Sequence, residues 1–336
     1  MTPQYPEEIF VLGADIGGTK TNIGCFEPGP RRPRLKIMET YSSREADNLE
    51  SILEDFTGRH GILPVSVCLG VAGPVIRGRS KTTNLPWIVS ENSLRKRFGW
   101  ERVRLVNDLS ATAMSVPLLP GYRLLSLNKA RSDKNGAIGI VAPGTGLGQA
   151  LLVFQEGSPR PIPSEGGHVD FAPTSEAEID LWRFLHERFG HVSVERLLSG
   201  EGLVNIYYWL KQSVDTPEPL WLKEKMRSMD SARVITETAL AGEHPVCSQV
   251  LRHFVSILGS VCGNLALTAL TTRGIYLGGG ITPKILPVLQ EDLFLQSFSD
   301  KGRYKDLMRR IPVRVILDSR APLLGAGFMA QQMLKE

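Results

Sequence analysis

The chain has 336 residues, 42% hydrophobic and 22% charged, the balance of a soluble globular protein with room for two ordinary domains. Its 39 basic and 35 acidic residues leave a formal charge of only +4 with no long Lys/Arg run to concentrate it, which argues against a nucleic-acid partner. No run of about 18 uninterrupted apolar residues suggests a membrane span, and the start, "MTPQYPEEIF", has acids and prolines where a signal peptide would be basic and then apolar.

The opening alternates short apolar runs with turns. "IFVLGAD" (Ile9 to Asp15) reads as a buried strand, "TNIGCF" (Thr21 to Phe26) as its return and "RLKIMET" (Arg34 to Thr40) as a third strand. The intervening cluster Arg31 to Arg34 follows Pro28-Gly29-Pro30 and is expected to be a solvated loop. Leu49, Ile52, Leu53 and Phe56 recur at helical spacing, with Gly58 and Gly61 marking the end. "VSVCLGVAG" and "VRLVND" (Val103 to Asp108) are further strands. Between them "SENSLRKRFG" has Ser90 as N-cap and Gly99 as stop. Three successive strands followed by strands alternating with helices predict a mixed sheet with helices packed on it.

After Pro117 and Pro120 the pattern restarts. "GAIGIVAPGTGLGQALLVF" repeats the strand, glycine turn and strand of "FVLGADIGGTKTNIGCF", so two related domains are expected. A mostly helical stretch runs from Glu176 to about Thr272, opening with a helix whose Ile179, Trp182, Leu185 and Phe189 make a core-facing stripe. "GIYLGGGI" (Gly274 to Ile281) is a strand running into three glycines, and "VRVILD" leads into a C-terminal helix. The four scattered cysteines, Cys25, Cys68, Cys247 and Cys262, lack paired spacing and read as reduced, buried thiols of a cytoplasmic protein.

Three glycine turns follow strands: Asp15 to Lys20, Pro143 to Gly146 and Gly278 to Gly280. Glycines there let backbone N–H groups approach an anion closely. A strand rather than a helix follows the first two, which argues against a P-loop and a dinucleotide fingerprint. Asp15, directly before Gly17-Gly18, is either a turn former or a carboxylate that holds magnesium beside phosphates. "PSEGGHVDF" sets Glu165 and His168 around two glycines, which are unfavourable in a helix. The predicted structure is a loop, bent freely by those glycines, that aims both side chains at one place. Taken alone, His168 is more often a hydrogen-bonded structural histidine, and Glu195 reads first as an acid favoured in the first turn of a helix.

"GADIGGTKTNIGCF", "LVNDLSATA", "APGTGLGQALL", "PSEGGHVDF", "SVERLLSGEGLVNIY" and "YLGGGI", in this order, together with "APLLGAG" near the end, resemble the motifs of bacterial glucokinases. These form the sugar-kinase branch of the actin/Hsp70/hexokinase superfamily. The resemblance implies an α/β chain of two RNase H-like (actin/hexokinase-type) domains, with mixed sheets, flanking helices and the active-site cleft between them. A small domain of residues 1–118 plus about 315–336 and a large one of about 119–314 are expected. The implied reaction moves the γ-phosphoryl of ATP, with Mg2+, to the 6-hydroxyl of glucose, in a homodimer.

By the same resemblance Asn84, Asn107, Asp108, Glu165, His168 and Glu195 bind the sugar, carboxylates and amides suiting a ring of neutral hydroxyls. Asp108 is the expected general base. The nucleotide falls to Gly13, Ala14, Asp15, Ile16, Gly17, Gly18, Thr19 and Lys20, with Gly144, Thr145, Gly278, Gly279 and Gly280; Asp15 is the metal candidate. Lys20 departs from the family, where asparagine is common, toward the related ROK sugar kinases. Those carry a cysteine-rich zinc motif after their histidine; "VDFAPTSEAEIDLW" has no cysteine, so zinc is not expected. Alternatives are a kinase for another hexose or amino sugar, a catalytically dead sensor, and a DNA-binding sugar regulator. The regulator would need a helix-turn-helix ahead of Asp15, where only about a dozen residues stand.

Overall fold

The computed structural model describes residues 9–82, 85–213 and 218–336. By contacts the chain divides into two compact units, one of Met1–Gly121, Ser158–Pro163 and Asp318–Glu336 and the other of Tyr122–Gly157 and Ser164–Leu317.

In the first unit, β1 (Val11–Ile16), β2 (Lys20–Glu27) and β3 (Arg34–Ser42) form an antiparallel run. Helix α1 (Leu49–His60) buries Leu49, Ile52, Leu53 and Phe56, the four positions that the helical spacing marks. It ends at Gly61, whose left-handed φ of 60° closes the cap, with Gly58 inside the helix. Strand β4 (Ser66–Val71) returns parallel to β1. A small ribbon, β5 (Arg79–Lys81) with β6 (Ile88–Ser90), precedes α2 (Glu91–Phe98), β7 (Val103–Asn107) and α3 (Asp108–Ser115). The sheet order is β3-β2-β1-β4-β7, with β7 parallel to β4.

The chain continues as β8 (Leu124–Ser126), β9 (Ile138–Pro143), β10 (Leu147–Gln155) and β11 (Ser158–Ser164). Helices α4 (Glu176–Phe189), α5 (Gly200–Ser213), α6 (Leu220–Ser228), α7 (Ser231–Leu240) and α8 (Pro245–Ala269) follow. Then come β12 (Gly274–Leu277), α9 (Leu286–Leu289), α10 (Asp292–Ser299), α11 (Lys305–Arg309) and β13 (Val313–Ile316). The second sheet has the order β11-β10-β9-β12-β13-β8. Strands β9, β12 and β13 are parallel and β10 is antiparallel to β9, so the first sheet's pattern recurs. The repeated strand, turn and strand of the sequence is therefore a repeated sheet topology. Helix α12 (Ala321–Gln332) belongs to the first unit and packs on α3 and β1.

Helix α8 has 25 residues and the length and composition of a membrane span, but 67% of its apolar window is buried. Val250, Phe254, Leu258 and Cys262 on it belong to the core of the second unit. In α4, of the stripe predicted from Ile179, Trp182, Leu185 and Phe189, Leu185 is in the core and Trp182 and Phe189 pack against it. Glu178, Leu181 and Leu185 are buried, while Ile179, Trp182 and Phe189 are half-exposed. Glu178 is buried beside them because its carboxylate accepts hydrogen bonds from the Thr174 amide (2.7 Å) and hydroxyl (2.8 Å), which satisfies that acid.

Candidate active site

In the first unit the candidate residues sit at the carboxyl ends of parallel strands, where open α/β sheets bind ligands. Asp15 pairs with Gly70 across β1 and β4, and Val71 with Asn107 across β4 and β7. Gly70 permits this closeness: a β-carbon there would lie 3.3 Å from the Ala14 carbonyl and 3.6 Å from the Asp108 Cα. Asn107 caps α3, its Oδ1 accepting the Leu109 amide at 2.9 Å, while its Nδ2 donates to the Gly73 carbonyl at 3.3 Å. Asp108 is thereby held at the first position of α3, where the helix N-terminus favours a carboxylate, and its Oδ1 accepts the Leu109 amide at 2.9 Å.

Asp15 is partly buried, and burial pushes its carboxyl up to about 6 against the lowering effect of a hydrogen bond from Asn22. Thr40 donates to Asn22 Oδ1 at 2.8 Å, leaving the Asn22 amide to face Asp15. The turn after Asp15 closes by a hydrogen bond from the Gly17 amide to the Lys20 carbonyl at 3.0 Å. It is anchored by Ser43, whose hydroxyl donates to the Gly17 carbonyl at 2.8 Å and whose amide reaches the Thr19 carbonyl at 3.0 Å. Ser43 lies 26 positions from Gly17 and carries no motif, so the sequence reading missed it. Gly13, Ala14 and Ile16 are buried within β1, Gly17 and Gly18 are half-exposed, and Thr19 and Lys20 are exposed. Asn84 lies outside the described residues.

The second unit brings the other two glycine turns together. They follow the adjacent strands β9 and β12, and the Ile281 amide donates to the Pro143 carbonyl at 3.2 Å. Gly279 has a φ of 78°, and a β-carbon on it would overlap the Pro143 carbonyl. Gly144 and Gly280 face each other, and the Gly200 amide donates to the Gly144 carbonyl at 2.9 Å. The first of these turns, and the chain just after the second at Ile281, border a cavity of about 990 Å³ lined by Gly144, Thr145, Gly200, Asp230, Arg233, Glu237 and Lys284, among others. Asp230 caps α7, and Arg233 pairs with Glu237 at 2.7 Å. Sequence reasoning found Gly144 and Thr145 but missed Gly200, Asp230, Arg233, Glu237 and Lys284, which come from separate segments far along the chain.

Glu165, His168 and Glu195 also lie in the second unit. Glu195 is in a short 3₁₀ turn, not the first turn of an α-helix; its Oε2 accepts the Leu147 amide at 2.8 Å. Its Oε1 lies 4.0 Å from His168 Nδ1. Glu165 precedes a one-turn 3₁₀ helix, Gly166–His168, that ends with His168, and both side chains are exposed. The free bending expected of Gly166 and Gly167 is corrected here: neither has a positive φ. A β-carbon on Gly167 would overlap the Leu147 carbonyl, so the glycines serve close approach of the loop to β10. Among the described residues no cluster of three or more His, Cys, Asp or Glu could hold a metal ion. A lone carboxylate such as Asp15 suits magnesium that brings phosphates and waters as its other ligands.

The glucokinase family model matches residues 12–333. A protein named glucokinase from Synechocystis sp. is 37% identical over 96% of this chain and 98% of its own length. The crystal structure of glucokinase from an Antarctic psychrotroph is 29% identical, with a TM-score of 0.85, covering 98% of this chain and 100% of that one. That of a Balamuthia mandrillaris glucokinase in complex with glucose is 22% identical, with a TM-score of 0.80 over 96% of this chain and 94% of its own.

Proposed function

The chain belongs to the glucokinase family, and from that premise we propose that it phosphorylates D-glucose at the 6-hydroxyl with ATP. The observation that carries this reading is the cavity beside Gly144 and Thr145, which has the volume of a small-molecule site and two adjoining glycine turns to face phosphates. Oxygen–phosphorus bond formation from the sugar 6-oxygen to the γ-phosphorus accompanies cleavage of the bond to the β,γ-bridging oxygen, whose electrons leave with ADP. Asp108 takes the hydroxyl proton as that bond forms and later releases it to solvent. A carboxylate suffices because the hydroxyl becomes acidic only as it bonds to phosphorus, most of the barrier being lowered by positioning and electrostatics.

Asn107 has its Oδ1 engaged in capping, which fixes the backbone from which Asp108 projects. Glu195 has one oxygen engaged by Leu147 and offers the other, with Glu165 and His168, to sugar hydroxyls. Magnesium bound with the nucleotide neutralises phosphate charge, and Asp15 is the residue here that would hold it, directly or through water. On the family resemblance, the protein is a cytoplasmic homodimer. A coupled ADP-release assay across glucose, mannose, fructose and N-acetylglucosamine tests the assignment. A preference above about tenfold in kcat/KM for a sugar other than glucose, roughly 1.4 kcal/mol, overturns it.

A further inference from the structure

The loop carrying Glu165 and His168 rests on β10 at two points. Gly167 lies against the Leu147 carbonyl, and Gly166 lies over the tip of Gln149, where a β-carbon would be 2.5 Å from the Gln149 Oε1 and 2.9 Å from its Cδ. Beside these contacts the floor is open, with a cavity of about 280 Å³ lined by Gln149, Ser164, Gly166, Val169, Ile257 and Asn264, among others. Gln149 is only 6% exposed, and the end of its side chain lies directly beneath Gly166. Its carboxamide borders that cavity and is not among the buried polar atoms left without a partner, so its position beneath Gly166 carries no burial penalty. The flat carboxamide packs against a residue that offers it no β-carbon, which is why the two fit so closely.

We propose that Gln149 is a positioning residue for sugar binding, a reading that rests on the proposed function. It props Gly166, and through it Glu165 and His168, at the height at which those side chains meet sugar hydroxyls. The loop's other support on β10, Gly167 against the Leu147 carbonyl, lies one residue further on. The Ser164 hydroxyl, which accepts the Gly166 amide at 2.9 Å, ties the loop to its own preceding strand and not to β10. Without the prop the loop can settle toward the cavity, and misplacement of substrate contacts by an ångström is costly. The effect should fall on the sugar and spare the nucleotide, because Gln149 does not line the larger cavity beside Gly144.

The test compares wild type, Gln149→Ala, Gly166→Ala and the double variant for glucose KM, ATP KM, kcat and melting temperature. Gln149→Ala should raise glucose KM roughly five- to tenfold while ATP KM and kcat stay within about twofold. Gly166→Ala should raise glucose KM further, because its methyl meets the carboxamide. The double variant should fall back below Gly166→Ala, because the shortened side chain makes room for that methyl. Glucose KM for Gln149→Ala within about twofold of wild type, or a double variant no better than Gly166→Ala, overturns the proposal. Should Gln149→Ala fail to fold, Gln149→Met, which keeps the length and loses the flat tip, must show the same selective rise in glucose KM. Wild type that releases no ADP with glucose would sink the functional reading instead. Glucose calorimetry on the same proteins would then decide the positioning role by the same fold-changes in affinity.

Discussion

Glu195 and Leu147 are joined by a hydrogen bond of 2.8 Å from the Leu147 amide to Glu195 Oε2, which turns Oε1 toward His168. The carboxylate thus spends one oxygen on its own orientation and keeps the other for a ligand. Glu195→Gln retains an acceptor for the amide but loses the charge that strengthens bonds from sugar hydroxyls. We expect glucose KM to rise by roughly tenfold, about 1.4 kcal/mol, with ATP KM little changed. Gly146→Ala should act in the same direction, since a methyl there overlaps Glu195 Oε2. Unaltered glucose KM in both variants would leave Glu195 a purely structural residue.

Asp15→Asn removes the carboxylate at the end of β1 while keeping a side chain of the same shape beside Asn22. If Asp15 serves the magnesium of the bound nucleotide, the magnesium concentration for half-maximal rate should rise by about tenfold or more, with kcat/KM for Mg-ATP falling in step. Glucose affinity measured by calorimetry should not move. A titration curve for magnesium that overlays wild type would return Asp15 to the role of a turn former.

A charge network on the first unit gives a pH prediction independent of activity. Arg59 bonds Glu39 and Asp55, and His60 Nε2 lies 2.8 Å from Glu39. Burial opposes ionisation of Glu39, but hydrogen bonds from Tyr41, His60 and Arg59 outweigh it and hold the carboxyl below its usual range. The Arg59 guanidinium and the Tyr41 hydroxyl do the same for Asp55. Both folded-state values are depressed, so their stabilisation is present above the unfolded carboxylate range near pH 4 and is lost as pH falls through the lower folded values. Arg59→Ala should lower Tm at pH 7 by on the order of 2 °C, the pairs being largely solvent-screened. That difference should shrink toward zero near pH 3. An equal loss of Tm at both pH values would point to lost packing of the arginine stem.

Features that depend on neighbours in sequence were the legible ones. The face of α1 could be read from Leu49, Ile52, Leu53 and Phe56 because helical spacing alone decides it. Topology repeated where the strand, turn and strand pattern repeated, since sheet order follows from those local units. The face of α4 could be read at Trp182, Leu185 and Phe189, but not at Glu178, a buried acid whose partners in Thr174 no apolar spacing reveals. The role of Gly166 and Gly167 was misjudged for a different reason. Their need is set by β10, and a sequence does not say which backbone passes beneath a glycine. Likewise, Ser43 and the walls formed by Asp230, Arg233 and Lys284 meet their sites only through long-range folding.

Asp108 offers the sharpest test of the chemical step. Asp108→Asn preserves size, and the amide oxygen can still accept the Leu109 amide as the carboxylate Oδ1 does at 2.9 Å. The start of α3 should therefore stay intact, because its cap is Asn107 and not Asp108. The variant loses some favourable charge at the helix N-terminus, worth about 0.3–1 kcal/mol, too little to unfold the unit. It can still make one hydrogen bond to a sugar hydroxyl, so glucose affinity should stay within a few-fold of wild type. What the amide cannot do is take the proton as the bond to phosphorus forms. We expect kcat to fall by roughly 10² to 10⁴, the usual worth of a positioned proton acceptor, with KM comparatively unmoved. Steady-state kinetics paired with glucose calorimetry reads both quantities. A variant that keeps more than about a tenth of wild-type kcat while losing glucose affinity would make Asp108 a binding residue. The proton would then have to go to Glu165, whose carboxylate is exposed beside Gly166, or to Glu195, whose Oε1 is the oxygen left open.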